Sequence, residues 1–437
     1  MSAWRSPDLA SRRAPPPGSA AYRGLAPVRL EGGSAHRGTG YATPGPGMGG
    51  GQRGRLRELL REVFGHGSPL RRLDWILLAI VLALISVGTV LVWAATATSG
   101  PNYHDPYLIR QLINIVIGLI LMAAVSMLDY RQLLQYAPIV LVLSCLGLLA
   151  VLSPLGSVVN GAKAWITLPG GFQIEPSEYA KISVIFVGAM ILGELKPGQT
   201  RPRPRAIAIT VGLSAIPLVL VIAEPALGVM IVLLSLLVGL IVLSGVQLRW
   251  LAALAVGGVV GIYAVTKLHL LKAYQVSRLT SFLHPSQDPR GTGYSAYQSK
   301  IAIGTGGLRG QGLFHGQLVA GGFVPEQHTD FIFAVAGEEI GFIGEMVIIV
   351  LLALLLLRTL HIAARADDQF GMLVASGIAI WFGVQSFINI GMTIGIMPVT
   401  GLPLPFVSYG GSAVFADMIA IGALHCVHRH RSVFGRN

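Results

Sequence analysis

A chain of 437 residues that is 53% hydrophobic and only 12% charged, with a mean hydropathy of +0.66, is far too apolar for a soluble domain of that length. The net charge of +12 would favour nucleic acid in a soluble protein, but most arginines here lie before the first apolar run or in short connections. Orientation in a membrane and anionic lipid account for them there, and no nucleic-acid motif accompanies them. The two cysteines, Cys145 and Cys426, are far apart and lack metal-ligand spacing, so neither a disulfide framework nor a zinc site is supported.

Residues 1–52 are rich in Gly, Pro, Ala, Ser and Arg and cannot bury enough surface to offset the entropy of ordering. They read as a disordered basic tail rather than a signal peptide, because no apolar core follows the first charges. In RLRELLREVFG, Leu56, Leu59, Leu60, Val63 and Phe64 fall at helical spacing opposite Arg57, Glu58, Arg61 and Glu62. That pattern predicts a short amphipathic helix on the inner membrane face, closing a cytoplasmic tail over 1–72.

Ten apolar runs of spanning length follow, at about 75–97, 111–128, 136–153, 178–194, 206–223, 226–244, 250–267, 331–357, 370–390 and 412–427. The expected fold is an all-α polytopic membrane domain over 73–430 with a C-terminal cytoplasmic tail over 431–437. Lys and Arg gather in alternate connections (Arg131; Lys196, Arg201, Arg203 and Arg205; Arg249; Arg358 and Arg365; Arg429 and Arg431), which puts both termini in the cytoplasm. Three longer segments then face outward: 154–177, the large loop 268–330 between spans seven and eight, and 391–411. No internal repeat or inverted symmetry is visible, which counts against an ordinary secondary transporter.

Pro176 is suited to open a helix with Ser177 as its neighbouring cap, and Glu178 and Lys181 lie three apart on one helical face. The two are either a self-compensated structural pair or part of the lining of a reaction cavity. Trp165 is an interfacial anchor or a platform for a sugar ring. Glu224, in EPALG, sits in a tight outer turn. The large loop opens with a helix-like stretch suited to the membrane surface, then the turn PSQDPRGTGY. There Asp288 precedes Pro289 and is presented on irregular backbone, with Arg290 beside it. Lys300 and Arg309 add loop cations among glycines. Asp330 leads straight into the eighth span and is suited to its N-cap. Glu338 and Glu339, near the outer end of that span, are costly unless hydrated or paired, so they are expected to border a water-filled cavity. The last outward segment, GMTIGIMPVTGLPLPFVSYGGSA, is apolar enough to dip into the outer leaflet as a lid.

Three of these stretches, HTDFIFAVAGEE, PSQDPRGTGY with QSKIAIGTGG, and PVTGLPLPFVSYGGS, resemble the SEDS family of peptidoglycan glycosyltransferases that includes RodA, FtsW and SpoVE, over about residues 73–430. GMTIGIMPVTGLPLP and GQGLFHGQ are more similar to RodA than to FtsW. The chain departs from the family pattern at Ala164, at Glu175 and in EPALG at Glu224 and Ala226.

The resemblance implies polymerisation of lipid II at the outer face of the plasma membrane during cell elongation, with a class B penicillin-binding transpeptidase as partner and Mg2+ or Mn2+ as cofactor. No metal ligands are assigned. It implies Asp288 as the catalytic carboxylate, taking the proton of an acceptor sugar hydroxyl, a contribution of about 10²- to 10⁴-fold. Arg290, Lys300 and Arg309 are the expected diphosphate contacts. Glu178, Lys181, Trp165, Asp330, Glu338 and Glu339 are the remaining candidates for substrate contact, with Asp330 the competing base. A lipid II flippase, a division- or sporulation-type polymerase and an inactive scaffold are the alternatives.

Overall fold

A computed structural model of the chain describes residues 73–97, 106–159, 162–167, 173–194, 199, 201–224, 226–267 and 293–434. The basic tail, the amphipathic stretch at 56–64, the start of the large loop, and the turn that carries Asp288 and Arg290 lie outside the described residues.

Among the described residues, ten long helices match the ten apolar runs: α1 Trp75–Thr96, α2 Pro106–Met127, α3 Tyr130–Leu152, α4 Pro176–Gly193, α5 Pro204–Ala223, α6 Leu227–Leu243, α7 Leu248–Lys267, then α10 Ile332–Ala364, α11 Gln369–Ile394 and α12 Gly411–Phe434. Two shorter helices, α8 Tyr294–Gly306 and α9 Gln317–Ala320, belong to the large loop. Seven of the long helices are apolar and long enough to cross a bilayer. Of the others, α6 and the apolar part of α7 are shorter, and α4 carries Glu178 and Lys181. Helices α2 and α3 begin at Pro106 and Tyr130, earlier than the apolar runs. Backbone hydrogen bonding carries a helix through Arg110 and Gln111, or Arg131 and Gln132, where hydropathy has already dropped.

The helix ends follow local chemistry. Asp74 caps α1 by accepting the Leu77 N–H at 3.1 Å, and Asp368 caps α11 by accepting the Gly371 N–H at 2.9 Å. Pro176 and Pro204 occupy first-turn positions of α4 and α5, where a missing N–H costs nothing. Phe331, not Asp330, holds the N-cap position of α10, so the expected cap is corrected. Ser177 likewise lies inside α4, and its hydroxyl donates to the Glu175 carboxylate instead of capping the helix.

Helix α4 is enclosed by α3, α5, α6 and α11 and is buried on nearly every side. The apolar stretches of α11 and α12 are 72% buried, against 22% for α2, which places the first two at the centre and α2 at the periphery. Away from the loops, Asp74 fastens α1 to α10 through Arg358 Nε at 2.7 Å, and its N–H donates to His425 Nδ1 of α12 at 3.3 Å.

The all-α polytopic fold holds, and the connection between α3 and α4 adds a small antiparallel sheet to it: β1 Ser157–Val159, β2 Ala162–Thr167 and β3 Gln173–Ile174, in the order β1-β2-β3. One expectation fails here. Segment 395–410 is no lid in the lipid. Leu402, Leu404, Phe406 and Val407 are buried in the bundle core, because Gly88 and Gly228 leave room for them. A Cβ on Gly88 would lie 2.5 Å from the Val407 carbonyl oxygen, and one on Gly228 would lie 2.5 Å from Leu402 Cγ.

Candidate active site

The loop-bearing end of the bundle holds its charge in a compact network. Glu178 and Lys181 share the first turns of α4, and Lys181 Nζ donates to Glu178 Oε2 at 2.7 Å with both side chains closed to solvent. The same ammonium donates to Gln385 Oε1 of α11 at 2.8 Å and lies 4.6 Å from the centre of the Trp381 ring. Gln385 is itself fixed, accepting from Trp381 Nε1 at 2.7 Å and donating to the Pro403 carbonyl at 2.8 Å. Such a pair persists without solvent only because further hydrogen bonds and a ring face complete its coordination.

Four more acids approach this pair. The Glu175 carboxylate accepts from Ser177 Oγ at 2.7 Å, and its backbone N–H donates to Ser412 Oγ at the start of α12. Burial, then the negative charge of Glu178, pushes Glu175 up to about 7. Glu224 caps the C-terminus of α5 in the tight turn before α6, and neither of its buried carboxylate oxygens has a partner among the described residues. Burial, then Glu175, pushes it up to about 8. Asp417 of α12 accepts the Phe406 N–H at 3.2 Å. The main-chain oxygen of Asp330 accepts from Asn389 Nδ2 at 2.9 Å, which ties HTDF to α11. Of these acids, Glu175 and Glu224 keep their protons to higher pH than an ordinary carboxyl.

Glu338 and Glu339 do not border water. Glu338 accepts the N–H groups of Leu318 and Val319 at 2.8 and 2.9 Å, and Glu339 accepts that of Phe314 at 2.6 Å. Both acids are closed to solvent. They act as anchors for segment 310–320, at a kink in α10 where Gly341 has φ +70° and Phe342 N–H donates to the Gly307 carbonyl. A residue with a Cβ at 341 would sit 2.2 Å from the Gly310 nitrogen, so glycine is required there.

The two predicted cations among the described residues, Lys300 and Arg309, are both exposed. Lys300 is exposed on α8, not on a loop, and its Nζ lies beside Gly395, where a Cβ would come within 2.2 Å of it. Arg309 is exposed in the turn after α8. Trp165 is half-buried on β2, and Lys163 donates to the Leu152 and Ser153 carbonyls at the end of α3. Among the described residues no group of three or more His, Cys, Asp or Glu is arranged to hold a metal ion, so the expected divalent cation has no ligand set there.

Residues that the sequence reading passed over complete the site. Gln385 and Asp417 are polar groups inside apolar runs, a signal that marks functional positions. The rings of Tyr107, His328 and Tyr409 meet where α2, HTDF and SYGG converge, and Arg110 lies close enough for its charge to act on the Tyr409 hydroxyl. Their sequence signal is weak, since Arg110 sits just before an apolar run.

Comparison with known proteins accounts for this architecture. Residues 74–433 match the family of FtsW, RodA and SpoVE, described as cell cycle proteins. The chain is 39% identical to peptidoglycan glycosyltransferase MrdB of Escherichia coli K12 over 367 residues, covering 84% of this chain and 96% of MrdB. It is 36% identical to stage V sporulation protein E of Bacillus subtilis, over 82% of this chain and 97% of that protein. Among solved structures it is similar to a chain from a peptidoglycan synthase complex that coordinates polymerization and crosslinking, with a TM-score of 0.68, 30% identity, and coverage of 82% and 98%. Rod shape determining protein RodA of Thermus thermophilus is a further structural neighbour, with a TM-score of 0.59, 28% identity, and coverage of 82% and 97%.

Proposed function

The chain belongs to the FtsW, RodA and SpoVE family and is a peptidoglycan glycosyltransferase of the RodA type; on that premise we propose that it polymerises lipid II during cell elongation, with Asp288 as general base. The observation that carries this reading is the end-to-end likeness to MrdB, 96% of whose length is matched. In the reaction, an acceptor sugar hydroxyl oxygen bonds to the donor's anomeric carbon as the bond from that carbon to the diphosphate oxygen breaks, with inversion. Asp288 takes the hydroxyl proton, and the electron pair leaves with the lipid diphosphate. Because diphosphate is a competent leaving group, no second acid of the glycosidase kind is needed. Arg290, Lys300 and Arg309 offset the departing charge, with Lys300 and Arg309 both exposed at the loop-bearing end.

That end faces the extracytoplasmic side of the plasma membrane in this reading, both termini are cytoplasmic, and a class B penicillin-binding transpeptidase crosslinks the product strands. The buried network of Glu175, Glu178, Lys181, Gln385 and Asp417 supports the loops over the reaction centre rather than reacting itself.

The test uses purified protein, with and without a transpeptidase partner, given labelled lipid II and magnesium or manganese and assayed for glycan strands. Strands form with the native chain, and Asp288→Asn abolishes them without moving the melting temperature, because Asn keeps size and hydrogen bonding but accepts no proton. Asp330→Asn is the comparison: a dead Asp330 variant with an unchanged melt moves the base to that position. Transport of lipid II across vesicles without strands, insensitive to Asp288→Asn, overturns the polymerase in favour of a flippase.

A further inference from the structure

The turn 307–314, which leads out of α8 and across the kink of α10, combines two properties that a water-facing loop does not need together. Its backbone is satisfied within the chain: the N–H groups of Gly310, Gln311 and Gly312 donate to the carbonyls of Gly306, Glu338 and Glu339 at 2.8, 2.8 and 3.0 Å, and that of Phe314 donates to the Glu339 carboxylate at 2.6 Å. In return the Gly307 and Leu308 carbonyls accept from the Phe342 and Ile343 N–H groups of α10 at 2.9 and 3.2 Å. Its apolar side chains are nevertheless open, with Leu308 71%, Leu313 37% and Phe314 41% exposed. Phe314 holds φ at +66°, a backbone that a bulky residue rarely adopts, and is kept there by Glu339 and by its ring against Trp93 of α1, edge-on at 4.8 Å. Closed backbone with open hydrocarbon is what a lipid environment demands, since lipid offers no partner to a free N–H or carbonyl.

The depth of the turn follows from α1 and α10. Trp75 and Trp93 are both exposed and lie eighteen positions apart on α1, which is five full turns and about 27 Å, close to the separation of the two aromatic belts of a bilayer. Trp75 follows Asp74, which pairs with Arg358, so Arg358 marks the inner belt on α10. Eighteen residues back along α10 from Arg358 lies Ile340, beside the Gly341 kink that the turn crosses. The contact of Phe314 with Trp93 and the count along α10 therefore bring the turn to the same place, the outer edge of the hydrocarbon. Below it the exposed face of α10, with Phe342, Ile343, Val347 and Val350, runs on to Leu308, whose carbonyl holds the Ile343 N–H. Arg309, the one charged side chain of the turn, is exposed at that level, where a long basic side chain lays its stem on hydrocarbon and keeps its charge in water.

We propose that turn 307–314 anchors the large loop in the outer leaflet, with Leu308, Leu313 and Phe314 among the acyl chains and Glu338 and Glu339 holding the backbone that presents them. The occupant of this surface is bilayer lipid, met through its hydrocarbon rather than its headgroup. The inference goes beyond the polymerase reading, because it sets the height of this part of the loop over the membrane whichever reaction takes place there.

The experiment places a nitroxide on a single cysteine, Leu308→Cys or Leu313→Cys, in the full chain carrying Cys145→Ala and Cys426→Ala, reconstituted in vesicles of phosphatidylethanolamine and phosphatidylglycerol. Collision with oxygen, which partitions into hydrocarbon, is compared with collision with a water-soluble nickel chelate. Phe323→Cys, on the same loop, is the aqueous reference, and Val350→Cys, on the exposed face of α10, is the lipid reference. The oxygen-to-nickel ratio at positions 308 and 313 is expected to exceed that at 323 by about threefold or more and to approach that at 350. Ratios equal to that at 323 put the turn in water and overturn the inference. Shielding from both reagents, in the chain alone or after a transpeptidase is added, gives the surface to a protein partner and also overturns it. Leu308 is the most exposed of the three, so Leu308→Cys carries the test should Leu313→Cys lower the melting temperature. No lipid II enters the measurement, so the anchor and the polymerase reading fail separately.

Discussion

Lys181 Nζ is held 2.7 Å from Glu178 Oε2 and 2.8 Å from Gln385 Oε1, so that one ammonium joins two helices separated by 204 positions in the chain. Removing either charged partner strands the other without solvent. Lys181→Ala or Glu178→Ala alone is therefore expected to cost about 3–5 kcal/mol, whereas the double change costs less than the sum because no unpaired charge remains. Thermal melts of the two single variants and the double variant in detergent check this. Strict additivity would show that the pair is not coupled.

The pH dependence of stability follows from Glu224 and Glu175. Both have folded pKa values, about 8 and about 7, raised from an ordinary 4.5. Between 4.5 and those values the folded chain holds protons that the unfolded chain has released, so these groups make the fold most stable below about 4.5 and progressively less stable as pH rises toward 8. Glu224→Gln keeps the shape without the charge. It should raise the melting temperature at pH 9 and flatten its decline between pH 6 and 9. An unaltered slope would place the titration elsewhere.

Glu338 accepts two backbone N–H groups and Glu339 one. Glu338→Ala leaves the Leu318 and Val319 donors unpaired and should cost on the order of 1–3 kcal/mol, with hydrogen exchange accelerating over 314–320 before the rest of the chain. Uniform exchange would argue against a local anchor. Gly341→Ala is the sharper lesion, because its Cβ collides with Gly310 backbone and its φ of +70° suits glycine alone.

Orientation is open to chemical labelling. In a background lacking Cys145 and Cys426, a cysteine at Gly40 and one at the exposed Phe323 should react from opposite sides of the membrane. Reaction of both from one side would reverse the placing of the reaction centre outside the cell.

The sequence by itself determined the ten-helix scaffold, because a bilayer leaves a chain of alternating apolar runs and short polar connections no other way to satisfy its backbone. It also determined the contacts that are local in sequence: the ion pair of Glu178 and Lys181 lies three residues apart, and Pro176 opens its helix where proline is tolerated. Tertiary structure decided everything that depends on which distant groups meet. The cost of Glu338 and Glu339 was legible, but that they are satisfied by the amides of 314–319 rather than by water depends on the glycine kink that folds one segment onto the other. The apolar 395–410 segment had two places to hide, lipid or core, and Gly88 and Gly228 opened the core to it. Arg110 looked like the edge of an apolar run until the fold set it beside Tyr409, some three hundred residues further along the chain. Hydropathy and spacing report the cost of each residue along one helix, whereas convergence of side chains is a property of how helices pack, and no local pattern records it.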